Sequence, residues 1–431
     1  MLRPVSGPAA SRLTSIHAFF ATCMARLEPF EPEPKLAVAV SGGADSLALA
    51  LLSDRWARLR GGSILALIVD HGLRDASHAE AALTANRLTT QGIASRVLRL
   101  TDLSPGPAIA ERARVARYHA LTCACADAGI VHLLLGHHLA DQAETLLIRC
   151  LGGSGASGMA AMATLVETHN LRLLRPLLSI SPQTLREHLT KENVDWIEDP
   201  SNRDTKALRP RLRSLRADGD GIGSATIALA SSAAAHGHAR AVREAQIAVA
   251  MARTISLRPE GFAVLPAGPI APAVLSALVQ TISGSGYPAD TAAIAKLSAT
   301  PGPATLAGIR IVRAGNKLLM LREEAAIGPD IQVHTGAIWD GRFRLETSPP
   351  NTPANCVCGK LGDAAAGLRQ LSNLPSAVLR GLPAIRLGEK LVAVPHLGYH
   401  DGEASTSVDM TFAPRRPATS AAFATTVVTR R

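Results

Sequence analysis

Ser41-Gly42-Gly43-Ala44-Asp45-Ser46 decides how this chain is read, because of what stands on either side of it. Before it, Lys35-Leu36-Ala37-Val38-Ala39-Val40 is a short apolar run bounded by Pro34, which reads as a buried strand. After it, Leu47 to Leu59 carries apolar residues at helical spacing. Two glycines let the backbone come close to an anion, and the helix beyond presents unpaired N–H groups at the positive end of its dipole. Ser41 and Ser46 add hydroxyls, and Asp45 is suited to hold Mg²⁺ against phosphates. The turn lacks the Gly-Lys-Ser/Thr ending of a P-loop, so the lysine that cradles a γ-phosphate is missing. A plain strand-to-helix turn capped by Asp45 and Ser46 is the competing reading. The position of the hexamer, after a strand and opening a helix, favours the anion site.

The alternation continues outward from the turn. Ile64 to Val69 reads as a second strand, followed by a helix from about Ser77 to Gln91. A third strand is expected near Ser95 to Leu100, a helix over Ile109 to Ala128, and a fourth strand at His132 to Leu135 before a helix near Leu139. Strands alternating with helices imply a parallel sheet covered on both faces, with ligands beyond the carboxyl ends of its strands. The expected class is therefore α/β: an N-terminal parallel-sheet domain over 1–217, a mainly helical or α+β domain over 218–330, and a small C-terminal α+β region over 331–431. Asp218 to Gly223 reads as a linker, an Ala-rich helix follows over about 224–253, and a hairpin is expected between Gly308 and Leu321.

Composition narrows the function classes. A chain of 431 residues with 47% apolar residues is long enough for two or three domains. Lys and Arg exceed Asp and Glu by 45 − 35 = 10, which suits a polyanionic partner such as RNA or DNA. Aromatic residues make up only 3%, so recognition through base stacking is disfavoured and phosphate contacts would carry the binding. The six cysteines form two C-x-C pairs and no C-x-x-C, which argues for reduced thiols rather than a redox site or zinc ribbon. No apolar run reaches the ~18 residues of a membrane span, and the Ile16–Ala21 stretch lacks a cleavage site, so a cytoplasmic protein without membrane contact is expected.

Further motifs carry chemistry. Val69-Asp70-His71-Gly72-Leu73-Arg74 closes the second strand at the edge where a nucleotide would lie. Gly136-His137-His138-Leu139-Ala140-Asp141-Gln142-Ala143-Glu144-Thr145 spaces His137, Asp141 and Glu144 at i, i+4 and i+7, expected to project from one helical face. Such a set can hold a pyrimidine edge and attract an ammonium, and either carboxylate or His137 can take a proton. A capped, solvated helix start is the plainer alternative. Gly153 to Gly158 fits G-x-G-x-x-G, but it follows a helix, so a dinucleotide site is rejected.

The opening hexamer resembles the S-G-G-x-D-S signature of PP-loop ATP pyrophosphatases, which fold as adenine nucleotide alpha hydrolase-like domains. The later elements are similar to those of tRNA(Ile)-lysidine synthetases. These are the Asp70 motif, Glu111-Arg112-Ala113-Arg114 with Arg117-Tyr118, the His137 motif, Arg175-Pro176-Leu177-Leu178, and Glu198-Asp199-Pro200-Ser201-Asn202. Together they span about residues 14–216. Two positions depart from the family pattern: Ala140 replaces a common Asp, and Pro210 replaces an Asn in R-N-x-[I/L]-R.

The resemblance implies a ligase that joins free L-lysine to C2 of the wobble cytidine of an AUA-reading tRNA(Ile) with a CAU anticodon. ATP adenylates the cytidine, AMP and pyrophosphate leave, and lysidine forms. Ser41, Gly42, Gly43, Ala44, Asp45, Ser46 and Asp70 would bind ATP, with Asp45 as the Mg²⁺ ligand. His137, Asp141 and Glu144 would line the cytidine and lysine pocket, while Arg114, Arg209 and Arg213 would face phosphates. A homodimer is compatible with this reading. The rivals are a PP-loop tRNA thiolase and a non-catalytic RNA-binding protein on a decayed nucleotide fold.

Overall fold

The strand expected before the Ser-Gly-Gly turn forms as Lys35–Val40 (β1), with Leu36, Ala37 and Val38 completely buried. A strand buried on both sides needs neighbours on both edges, and β1 has them. Ser63–Asp70 (β2) runs parallel to it from Lys35↔Ser63 to Val40↔Ile68, and His132–Leu134 (β4) runs parallel on the other edge. Ala94–Arg99 (β3) is the edge beyond β2, while Arg172–Leu174 (β6) and the antiparallel Leu165–Glu167 (β5) lie beyond β4. The sheet order is β3-β2-β1-β4-β6-β5. The chain thus builds outward from β1 to β3 and then crosses back to β4, leaving a topological switch point between β1 and β4.

The computed structural model describes residues 15–72, 76–101, 103, 106–198, 208–266, 268–348, 353, 355–402, 408–419 and 423–426. They fall into two units, residues 1–242 with 422–431 and residues 243–421. The boundary expected at 217 lies inside the first unit. The observed division falls within one continuous helix, Ser224–Thr254.

In the first unit, helices cover both faces of the sheet. On one face, Ala44–Arg58 (α2) packs with Ile16–Ala25 (α1), Ser77–Thr90 (α3) and Pro182–Lys191 (α6), burying Phe20, Leu49, Trp56, Leu88 and Leu185 in one cluster. On the other face, Ile109–Asp127 (α4) sets Leu121 and Cys125 against Ala37, Leu67 and Leu133. Each fully buried large apolar side chain contributes roughly 1.5–3 kcal/mol, so these layers fix β1 and its flanking turns. Leu139–Leu151 (α5) follows β4, and Leu208–Arg216 (α7) packs against it.

The segment read as a linker is a closed turn. The Asp218 carboxylate accepts from the Ile222 and Gly223 amides, and a Cβ on Gly221 would stand 3.3 Å from the Ala140 Cβ. Ala140 is itself buried, so the small residue at this departure from the family pattern lets the turn seat on α5. Pro210, the other departure, lies in the first turn of α7, where a helix has no use for the missing N–H.

The second unit is built of antiparallel sheets and short helices. The hairpin expected around Gly315 forms from Ile309–Ala314 and Lys317–Arg322, central strands of a five-stranded sheet. Pro272–Ser283 covers this sheet through Leu275, Leu278 and Ile282. Residues 331–412 add a further five-stranded and a three-stranded sheet around Trp339, Phe343 and Ile385. The region read as irregular and β-leaning is therefore ordered in strands of two to five residues, among them Ile331–Gln332 and Cys356–Lys360. Asp340 receives both Arg322 (3.0 Å) and the fully buried Arg342 (2.7 Å). Burial pushes Arg342 down to about 10, with Asp340 opposing the shift.

Candidate active site

The turn after β1 opens α2 in an unusual way: Gly43 is its N-cap, and no side chain caps it. Asp45 and Ser46 therefore do not serve as the caps a plain turn would use. The Ser46 hydroxyl instead donates to the Gly43 carbonyl (3.0 Å) and accepts from the Ser41 amide (3.1 Å), so the loop is tied to itself. The α2 N-terminus is left facing a cleft of ≈ 440 Å³ lined by Ser41, Gly43, Asp45 and Ser46. Gly42 has φ +85°, and its carbonyl accepts from the Ile197 amide at 2.9 Å. A Cβ there would meet the Thr84 hydroxyl at 2.5 Å. Only glycine meets both conditions.

Across the switch point, Gly136 closes the approach. A Cβ at this position would stand 3.2 Å from Ser46 Cα, so glycine lets the turn after β4 touch the start of α2. His137 and His138 follow, and α5 begins only at Leu139. The expected single helical face carrying His137, Asp141 and Glu144 is thereby corrected. His137 precedes the helix and lines the cleft, whereas Asp141 sits in the first turn and accepts the His138 amide (3.0 Å) as an N-terminal capping acid.

His138, not singled out as a site residue from sequence, is the bridge in this corner. Its Nε2 lies 3.5 Å from Asp45 Oδ2, and its Nδ1 lies 3.7 Å from Asp141 Oδ2. Burial works against charge on this imidazole, but Asp141 and Asp45 outweigh it and hold its pKa above the ordinary value. Burial likewise opposes the Asp141 charge, and the two histidines prevail to keep its pKa low. His137 goes the other way. Burial drives it down to about 4, with Arg175, Arg209 and Arg117 adding to the effect and Asp141 opposing it.

Glu144 faces away from this corner. It is fully buried, and both carboxylate oxygens are taken by α7: Oε1 by Arg213 Nε (2.8 Å) and Arg216 Nη2 (3.1 Å), Oε2 by Arg213 Nη2 (3.2 Å). Arg213, expected to face phosphate, thus has a carboxylate partner. Arg209 is more open, reaching Thr145 Oγ1 at 3.3 Å and Asp141 at 3.8 Å. On α4, Arg114 stacks 5.1 Å over Tyr118, while Arg117 and Tyr118 line the cleft.

Asp70 lies at the cleft too, but its oxygens are engaged, Oδ1 by the Gly72 amide (3.0 Å) and Oδ2 by His78 (3.4 Å). His71 of the same motif, with Ser77 and Glu80, which the sequence reading did not name as site residues, completes the wall beside it. Leu73, Arg74 and Asp199 to Asn202 lie outside the described residues.

A parallel sheet with an uncapped Gly-Gly helix start at its switch point defines a PP-loop, ATP-utilising domain, and a family model described as a PP-loop domain matches residues 14–216. Named relatives extend the match beyond that domain. The tRNA(Ile)-lysidine synthase of Ruegeria pomeroyi is 34% identical over 86% of this chain and 91% of its own length. That of Orientia tsutsugamushi is 29% identical over 93% and 98%. A Bradyrhizobium relative of the same name is 44% identical over 43% of this chain, a match spanning 53% of that protein. The chain belongs to the tRNA(Ile)-lysidine synthase family, and with it is an ATP-using ligase. Among the described residues no helix is long and apolar enough to cross a membrane.

Proposed function

We propose that this enzyme ligates the ε-amine of free L-lysine to C2 of the wobble cytidine of tRNA(Ile) with a CAU anticodon, through a cytidine adenylated by ATP. One observation carries the reading: the uncapped α2 N-terminus and the Gly136–His137 turn line one cleft, and the missing side chain of Gly136 lets that turn meet Ser46. The phosphates of ATP bind the Ser41–Ser46 backbone and hydroxyls, where the helix dipole and N–H groups offset their charge. Asp45 is the residue that would hold Mg²⁺, which when bound neutralises phosphate charge. Its carboxylate lines the cleft and is steadied by His138, a donor set of oxygen chemistry that suits this ion.

His137 and Asp141 border the cytidine and lysine, and Arg117 and Arg209 set the positive field around them. Glu144 acts at one remove as a positioning residue, by fixing α7 and with it Arg209. Residues 218–330, with the C-terminal region over 331–431, serve tRNA binding, and the enzyme works in the cytoplasm.

ATP-dependent incorporation of radiolabelled lysine into tRNA(Ile) transcripts tests the proposal. Wild type is expected to incorporate lysine, and Asp45→Ala to lose at least ~10²-fold in rate, the scale of losing one electrostatic group at a reacting phosphate. ATP-dependent incorporation of sulfur instead, or binding of tRNA with no reaction, would replace the reading with one of its rivals.

A further inference from the structure

Away from the nucleotide cleft, α1 and α6 bring together three side chains that the reaction does not use: His17, His188 and Glu192. One ligand-capable atom of each lies within 4.8 Å of the others. His188 and Glu192 stand one helical turn apart, with His188 Nδ1 3.8 Å from Glu192 Oε1. The rings of His17 and His188 meet edge to face, centroids 5.1 Å apart at 86°. His188 is only 4% exposed, yet its Nε2 is buried without a hydrogen-bond partner. The nitrogen that approaches Glu192 is Nδ1, so Nδ1 is the ligand atom this geometry offers.

We propose that His17, His188 and Glu192 form a zinc site that ties α1 to α6, with three protein ligands and a fourth position open to water. Two imidazoles and a carboxylate are a borderline-soft N/O donor set that suits Zn²⁺ better than Mg²⁺ or Ca²⁺. Tetrahedral ligand atoms at about 2.0–2.1 Å from zinc stand roughly 3.3 Å from one another, so no pair of the trio need close by more than about 1.5 Å. The buried His188 stays put while the half-buried His17 and exposed Glu192 have room to swing in.

Arg55 and Lys191 are the charged neighbours of the two imidazoles. Arg55 and Lys191 repel a dication, and the Glu192 carboxylate is the group that offsets them.

The test uses the full chain, stripped of metal with a chelator and titrated with Zn²⁺ or Co²⁺ in saturating Mg²⁺. One equivalent is expected to bind, with the visible absorption of tetrahedral Co²⁺ and a raised thermal midpoint with Zn²⁺. His17→Gln and Glu192→Gln, both at sites with exposure to solvent, should fold, keep lysine incorporation, and each weaken binding by at least ~10-fold, as loss of one of three ligands requires. His188→Gln should do the same if it folds. Absence of stoichiometric binding in wild type overturns the proposal. So does binding in His17→Gln and Glu192→Gln that is as tight as wild type, which would place the metal on other histidines or cysteines.

Discussion

Replacing Glu144 with Gln separates a structural clamp from a catalytic carboxylate. The Glu144 side chain is 0% exposed and meets Arg216, 8% exposed, and Arg213, 35% exposed. Removing one partner from a buried ion pair costs about 3–5 kcal/mol, because the charge left behind has neither water nor counter-ion. Arg213 can turn partly to solvent, so its share is discounted, which leaves roughly 2–4 kcal/mol, mostly from stranding Arg216. A unit of this size shifts by about 2–4 °C per kcal/mol, so Glu144→Gln should melt roughly 4–16 °C below wild type.

Thermal unfolding followed by circular dichroism gives the shift, and pyrophosphate release assayed well below the lowered midpoint gives the activity. The activity should fall through loss of Arg209 placement, seen as weaker tRNA binding more than as a slower chemical step. A companion variant, Glu144→Leu with Arg216→Met, removes both buried charges and should recover much of the lost stability. Glu144→Gln melting within ~1 °C of wild type while losing activity would refute the clamp and return Glu144 to the substrate pocket.

Two further outcomes follow from the cleft. Gly42→Ala places a Cβ at φ +85° and 2.5 Å from the Thr84 hydroxyl, which is itself bonded to the Glu80 carbonyl; calorimetry should show ATP affinity reduced by at least ~5-fold, matching the 1–3 kcal/mol of such strain. For His137, the unfolded chain takes up a proton near 6.5 and the folded one only near 4, so the stability tied to the neutral imidazole is complete above 6.5 and lost as pH falls toward 4. Urea unfolding across that window should show wild type losing on the order of 1 kcal/mol per pH unit more than His137→Asn, and equal slopes would sink the assignment.

The strand, turn and helix around the proposed nucleotide site were legible because their signals are local. A strand, two glycines and a helix within about ten residues state both the geometry and the chemistry, and β2, α3, β3 and α4 follow with the same alternation. His137 was misplaced onto α5 because the spacing i, i+4, i+7 ignores where a helix begins. The signal that sets the start was present: His138 followed three residues later by Asp141 is a capping arrangement, and the Asp141 carboxylate does accept the His138 amide. Glu144 could not be read in the same way. Its partners lie 69 and 72 residues downstream, and only the i, i+3 spacing of Arg213 and Arg216 hints that they act together. The second unit resisted reading because its strands pair across long intervals, as Cys356–Lys360 does with Pro383–Leu387, and are too short to show a clear period.

Those same electrostatics bear on how lysine loses its proton in the proposed reaction. A lysine ammonium has a pKa of about 10.4, and His137 stands at about 4, so transfer between them as they are is uphill by roughly 9 kcal/mol. Asp141, held low by two histidines, is no stronger a base. The cleft is therefore not built around a strong general base. Arg175, Arg209 and Arg117, which help to keep His137 neutral, act on an ammonium bound beside it in the same sense and favour the free amine. Under the proposed function, positive charge around His137 would serve twice: it would receive phosphate and the adenylated cytidine, and it would lower the pKa of the amine that must attack. On this account the identity of the proton acceptor matters less than the arrangement of guanidiniums, and Glu144 contributes by holding α7 so that Arg209 is part of that field.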